Sequence, residues 1–222
     1  MQRLTFLADR VQRGLGRAGR AMGADCALYR PAGGGDPLAA SNRLMTLPAA
    51  FAPESGGWEK PVGYGQAVWH GLFDASYTRA GDYLVRPASR PGAGDGGVWF
   101  IAAQQPMLPP LCVRASRVVG VNRAANALAA GVSGYGAADT GDAVLLMGWP
   151  ASLLESGTGG AAQADLPTGT SLASWTVLLP VLPGVMLRAG DLLRDDLSRS
   201  GVVATAELSE LGWRLHVKQT AT

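Results

Sequence analysis

The residue types that build most active sites are scarce in this chain. Its 222 residues include two His (His70, His216), two Cys (Cys26, Cys112) and two Lys (Lys60, Lys218). The two Cys lie too far apart for a CxxC pair and are too few for a disulfide framework, so they read as buried free thiols. Two His and two Cys show no zinc-ligand spacing, and Asp191, Asp195 and Asp196 do not follow the calcium-loop pattern. No metal and no cofactor is therefore expected. Charge is also sparse: 16% of residues are charged and the net charge is +2, too balanced for a protein that coats DNA generically. No apolar run approaches the roughly 18 residues of a membrane span. The longest, Trp175 to Leu187, is broken by Pro180 and Pro183. The N-terminus lacks the apolar stretch of a secretory signal. These absences lead to the expectation of a soluble chain that does not engage a membrane.

What is abundant is apolar and turn-forming. Hydrophobic residues make up 47% of the chain, beside 31 Gly and 14 Pro, and the mean hydropathy is +0.11. That is enough apolar material for a core and too much for a disordered chain. Seventeen of the nineteen basic residues are Arg.

Residues 1–23 differ from the rest. At about 100° per residue, Leu4, Leu7, Val11, Leu15, Ala18 and Met22 fall on one helical face. Arg3, Arg10, Arg13, Arg17 and Arg20 fall on a flanking arc. This is an amphipathic helix, weakened by Gly14, Gly16 and Gly19 at about 1 kcal/mol each relative to Ala. Three readings compete: a core-docked helix with a solvated basic face, a helix ordered by another subunit or by phosphate backbone, and an organelle presequence. The lack of Ser in this stretch weakens the third.

After Gly23 the texture becomes β-like, with short runs of Val, Leu, Trp and Tyr between Gly, Pro, Asp and Ser clusters. Strands are predicted at Ala27–Arg30, Arg43–Leu47, Ala67–Phe73, Asp82–Arg86, Val98–Ala103, Leu111–Arg114 and Arg117–Val121. Further strands are predicted at Ala143–Met147, Trp175–Leu179, Val185–Leu187, Asp191–Arg194, Gly201–Ala206 and Trp213–Lys218. A short helix is expected around Asn122–Ala130. The fold class is mainly β: small barrel or sandwich modules behind an N-terminal amphipathic helix. The expected division is helix 1–23, a first β module 24–123, a loop-rich connection 124–170 and a second barrel-like module 171–222.

One segment repeats. Arg79-Ala80-Gly81-Asp82-Tyr83-Leu84 recurs as Arg188-Ala189-Gly190-Asp191-Leu192-Leu193, differing only at Tyr83 and Leu192. Gly permits a positive φ and Asp can close a turn before a strand. The matching strand context favours a duplicated β module.

Catalytic motifs fail on context. GxGxxG occurs at Gly14–Gly19, inside the predicted helix, and at Gly92–Gly97, in a loop leading into a strand. Neither supplies the strand–turn–helix order that dinucleotide binding needs. Gly131-Val132-Ser133-Gly134-Tyr135 lacks the second Gly of a nucleophile elbow. His70 follows Trp69 and reads as structural, whereas His216 alternates with Leu215 and Val217 and reads as a solvent-face strand residue. Asp74, Asp82 and Asp191 would form an acid pair for glycoside hydrolysis only if the fold brought them together. Trp69, Trp99, Trp149, Trp175 and Trp213 sit in apolar runs and read as core. No catalytic, cofactor or metal residue is assigned.

Several stretches carry a resemblance: Gly81-Asp82-Tyr83-Leu84-Val85; Trp99-Phe100-Ile101-Ala102-Ala103-Gln104-Gln105-Pro106; Leu108-Pro109-Pro110-Leu111-Cys112-Val113-Arg114; and Gly148-Trp149-Pro150-Ala151-Ser152. With them the chain resembles structural proteins encoded in tailed-bacteriophage and prophage morphogenesis regions, over about two-thirds of its length. The closing segment, from Gly184-Val185 through Gly190-Asp191 to Gly212-Trp213-Arg214-Leu215, looks like the small β-barrels of head–tail joining and tail-completion proteins. The resemblance implies a non-enzymatic virion subunit of the neck, tail nozzle or baseplate, assembled in the bacterial host cytoplasm. It further implies a ring-type homo-oligomer in contact with portal, tail or fibre proteins, with exposed strand edges that pair with neighbours. Contact with packaged DNA would run through Arg3, Arg10, Arg13, Arg17 and Arg20. Two alternatives stay open: a small cell-wall hydrolase using His70 or His216, and a nucleic-acid contact protein acting through the Arg-rich helix.

Overall fold

A computed structural model describes residues 2–53, 68–124, 142–156 and 173–220. One helix, α1 (Gln2–Met22), precedes two six-stranded antiparallel barrels. The first comprises β1 (Ala24–Tyr29), β2 (Arg43–Pro53), β3 (Val68–Leu72), β4 (Tyr83–Arg86), β5 (Gly97–Ala103) and β6 (Leu111–Arg114). The second comprises β7 (Arg117–Arg123), β8 (Ala143–Ser156), β9 (Ser174–Leu179), β10 (Leu192–Asp195), β11 (Ser200–Ser209) and β12 (Gly212–Gln219). The rings close in the orders β1-β2-β3-β6-β5-β4 and β7-β8-β9-β12-β11-β10. Taken strand by strand, β1 to β6 and β7 to β12 follow one and the same path.

The alternation expected of half-buried strands is plain in β12. Trp213, Leu215 and Val217 point inward, while Arg214, His216 and Lys218 face solvent. β5 is buried on both faces. Trp99 and Ile101 join Cys26, Leu28, Leu84 and Cys112 inside the first barrel, whereas Phe100 and Ala102 pack with Tyr83 and Val113 into the core of the second. The two barrels therefore share a dry wall. At its centre, buried Tyr83 meets Trp149 edge-on at 6.0 Å and donates its hydroxyl to Pro150 O at 2.8 Å.

A loop of the first barrel also reaches across. Gly34 O accepts from Met147 N (3.0 Å) and from Trp149 Nε1 (3.0 Å), where β8 bulges at Gly148 (φ 73°). A Cβ on Gly34 would lie 2.2 Å from Leu145 O, so only glycine permits this approach.

Several expectations need correction. The strand Arg117–Val121, assigned to the first module, pairs with β8 and β10 in the second barrel. β8, expected within a connecting region, belongs to that barrel too, so the boundary falls between Arg114 and Arg117. Val185–Leu187 is an irregular approach to the Gly190 turn, not a strand. Asn122 and Arg123 extend β7 instead of opening a helix. Ala124 is not helical either; residues 125–130 of that predicted helix lie outside the described residues, as do Lys60 and the Gly131–Tyr135 segment. Each strand has a neighbour on both sides, so the free strand edges expected for pairing with other subunits are taken up by barrel closure.

The helix docks on an unexpected face. Its apolar arc is not the most buried one: Leu7 and Met22 are 45% and 66% exposed, and Val11, Leu15 and Ala18 between them are only half-buried. Its buried residues are Gln12, Gly16 and Gly19: Gly19 lies against β2 and β3, and Gly16 against Asp74. A Cβ at Gly19 would lie 2.4 Å from Leu72 O and 2.8 Å from Pro48 O. Two of the three glycines that weaken the isolated helix, Gly16 and Gly19, are thus what allow its backbone to lie on the barrel. Gln12 secures the contact, donating to Pro106 O (3.0 Å) and accepting from Ala75 N (3.2 Å). No helix among the described residues is long and apolar enough to cross a membrane.

Candidate functional site

The repeated Gly-Asp turns form two matching polar constellations. In each barrel the turn runs into the fourth strand with its Gly at positive φ, 94° at Gly81 and 92° at Gly190. The Asp that follows is buried and receives an Arg from the end of the first strand. Arg30 gives Nε to Asp82 Oδ1 (2.9 Å) and Nη2 to Oδ2 (2.7 Å). Arg123 gives Nε to Asp191 Oδ1 (2.7 Å) and Nη2 to Oδ2 (2.9 Å). The same Nη2 reaches the carbonyl five residues before the Asp in both copies, Tyr77 O at 3.3 Å and Met186 O at 2.8 Å. The backbone N–H of Arg79 donates to Asp82 (3.0 Å), and that of Arg188 to Asp191 (2.8 Å).

The correspondence continues outward. Gly81 N donates to Ile101 O and Gly190 N to Val203 O, both at 2.8 Å; Ile101 N and Val203 N return bonds to the Asp carbonyls, both at 2.9 Å. Immediately after, β5 bulges between Ile101 and Ala103, and β11 between Val203 and Thr205. This atom-by-atom agreement establishes the repeat seen in the sequence as a duplicated barrel. Hydrogen bonding to Asp82 and Asp191 raises the pKa of Arg30 and Arg123 above the ordinary guanidinium value.

These bidentate pairs are saturated by their own turns and hold the barrels closed. They offer no carboxylate for acid–base chemistry. A third such turn joins β10 to β11: Asp195 accepts from Leu197 N, Arg199 N and Arg199 Nε at 2.8–3.0 Å. Asp74 caps a short 3-10 turn, accepting from Ser76 N at 3.1 Å. Asp82 and Asp191 therefore serve separate barrels, and no acid pair for glycoside hydrolysis forms with Asp74.

His70 sits on β3 and His216 on β12, in different barrels. The buried Nδ1 of His70 has no partner, and His216 Nδ1 lies 3.4 Å from Thr176 Oγ1. Neither meets a Ser and an Asp among the described residues. Both Cys are free and buried. Burial raises the Cys26 pKa to about 11 and that of Cys112 further still, leaving two inert thiols. Among the described residues no cluster of His, Cys, Asp and Glu could hold a metal. Of the GxGxxG matches, the first lies within α1 and the second leads into β5.

Two recesses among the described residues border these elements. A cleft of about 310 Å³ lies between the barrels, lined by Phe100, Leu111 and Val113 from one and Leu178, Leu211 and Trp213 from the other. The Glu207–Arg214 ion pair (2.5 Å) belongs to the same lining. A wider groove of about 590 Å³ borders the Arg123 turn, lined by Gly34, Val144, Met147 and Met186.

Sequence reasoning missed Arg30 and Arg123. Their signal was present: an Arg directly follows or ends the first strand of each module, before the Gly-Asp turn. Fold and turns define a tandem-barrel, mainly β protein with an N-terminal helix. Comparison with family models, curated proteins and solved structures finds no match for the chain.

Proposed function

We propose that this protein is a non-enzymatic structural subunit of a tailed-bacteriophage virion. In this reading it forms part of the head–tail connector, tail nozzle or baseplate as a ring-type oligomer, in contact with portal, tail or fibre proteins. The observation that carries the reading is apolar surface left open around the groove of the second barrel. Val144, Met147 and Met186 are 64%, 60% and 60% exposed and line one recess. Clustered apolar side chains of this kind mark protein–protein contacts, and Met adapts well to a partner's shape. A rigid two-barrel body supports it, because ring subunits must hold a fixed angle between head-to-tail surfaces.

The test is light scattering coupled to size exclusion, with negative-stain images of the full chain. The expected result is a closed oligomer that Met147→Asp and Met186→Asp together convert to monomer with unchanged circular dichroism. A wild-type chain that stays monomeric up to high micromolar concentration counts against the proposal.

A further inference from the structure

The outward face of α1 is a stripe of guanidinium groups. Arg10, Arg13, Arg17 and Arg20 recur at intervals of three, four and three residues, which confines them to an arc of about 80° over about 15 Å of helix. That arc begins about 40° beyond Gly16 and lies beside the face of Gln12, Gly16 and Gly19, the buried residues of the helix. All four are exposed, and none takes part in an ion pair among the described residues. Elsewhere Arg30, Arg79, Arg86, Arg117, Arg123, Arg199 and Arg214 each find a carboxylate, and the Arg that do not are scattered singly instead of sharing one face. Within the stripe, Arg10 lies over the Phe6 ring at 5.8 Å. Residues 1–30 hold six Arg against Asp9 and Asp25, while the rest of the chain is slightly acidic.

Such a stripe would be unremarkable on a frayed terminal helix. Here the helix is seated by close backbone contact at Gly19 and by both amide atoms of Gln12. Four cations are thus presented at fixed spacing with their ordering already achieved in the free protein. Their complement is a rigid, regularly spaced polyanion. An anionic membrane fits less well, because insertion needs a continuous apolar face. Phe6, 57% exposed, stands alone within the Arg arc, and the exposed Leu7 and Met22 lie outside it, about 22 Å apart along the helix. We propose that this face of α1 binds the phosphate backbone of nucleic acid without reading sequence, each guanidinium meeting phosphate oxygens. The inference is independent of the virion assignment, since it concerns the isolated chain.

The experiment is fluorescence anisotropy of a labelled 30-base-pair duplex of arbitrary sequence, titrated with the full chain at several salt concentrations. Four phosphate contacts give a slope of log K against log salt of about −3.6, so binding weakens about 150-fold between 50 and 200 mM salt. Arg17→Gln with Arg20→Gln halves that slope. Arg194→Gln, an exposed Arg on the second barrel, leaves it unchanged. Absence of binding at 50 mM salt overturns the proposal, as does a slope indifferent to the α1 substitutions. Capture by phosphatidylserine vesicles without capture of the duplex also overturns it, in favour of a membrane surface. None of these outcomes depends on whether the chain forms rings.

Discussion

Replacing Asp82 or Asp191 by Asn tests the duplicated turn at its centre. Each carboxylate is buried and accepts two bonds from Arg and one from a backbone N–H. Asn keeps the shape, removes the charge and turns one acceptor into a donor facing other donors. Breaking a buried pair from one side costs about 3–5 kcal/mol. The guanidinium side chains of Arg30 and Arg123 are 31% and 32% exposed, so water recovers part of the loss. The lower end, about 3 kcal/mol, is expected for both variants. For a chain of this length that lowers Tm by about 6–12 °C. Because the pairs are mostly shielded, 1 M salt leaves the difference nearly intact. The assay is denaturant unfolding followed by Trp fluorescence, with calorimetry as a second probe. The duplication makes the stronger demand: the two variants lose equal stability to within about 1 kcal/mol. Arg30→Met with Asp82→Leu recovers most of what Asp82→Asn loses, since an apolar pair strands no charge. The reasoning fails if either Asn variant is within about 0.5 kcal/mol of wild type, or if one is harmless while the other unfolds.

Three further outcomes follow from the packing and the ionisable groups. Gly19→Ala forces a Cβ against Leu72 O and releases α1, so limited proteolysis within residues 2–22 accelerates at least tenfold; Gly14→Ala, with nothing within 4 Å, stabilises by about 0.5–1 kcal/mol. Gly34→Ala opens the strap across the barrels and lowers Tm, read by scanning calorimetry, while Gly35→Ala, with open space around it, leaves Tm within about 1 °C if Gly34 alone is constrained. Cys26, Cys112 and Tyr83 have pKa values raised by burial, so their contribution to stability is fully present below the unfolded thiol and phenol values and is lost as pH rises through the folded ones. The contribution of these three groups is therefore flat to about pH 8, then falls by up to about 1.4 kcal/mol per pH unit for each ionising group, and Cys112→Ala makes the fall shallower in urea melts at pH 8 to 10.

Period-two alternation made β9 and β12 legible, because each has one wet face and one dry face. It failed at Val185–Leu187, where an apolar run with a buried Leu187 approaches a turn without any strand pairing. Strand position was also easier to read than membership. Arg117–Val121 looks like the end of the first module, and only its pairing with β8 and β10 assigns it to the second. The Gly81 and Gly190 turns were legible because positive φ and Asx closure are local. Their Arg partners lie 52 and 68 residues away in sequence, and only the shared position of Arg30 and Arg123 at the end of each barrel's first strand hints at the pairing. The helix misled in a physical way: a hydrophobic wheel finds the face with most apolar area, whereas α1 docks through backbone approach, for which glycine is the best residue. The exposed Leu7 and Met22 are the consequence.

The central claim, a virion structural subunit, is tested most directly by quantitative mass spectrometry of density-purified particles from a host carrying this gene. The account predicts the chain in the particles at a fixed, ring-sized copy number relative to the portal protein, retained through high-salt washing. Intact, infectious particles that lack the chain would contradict it.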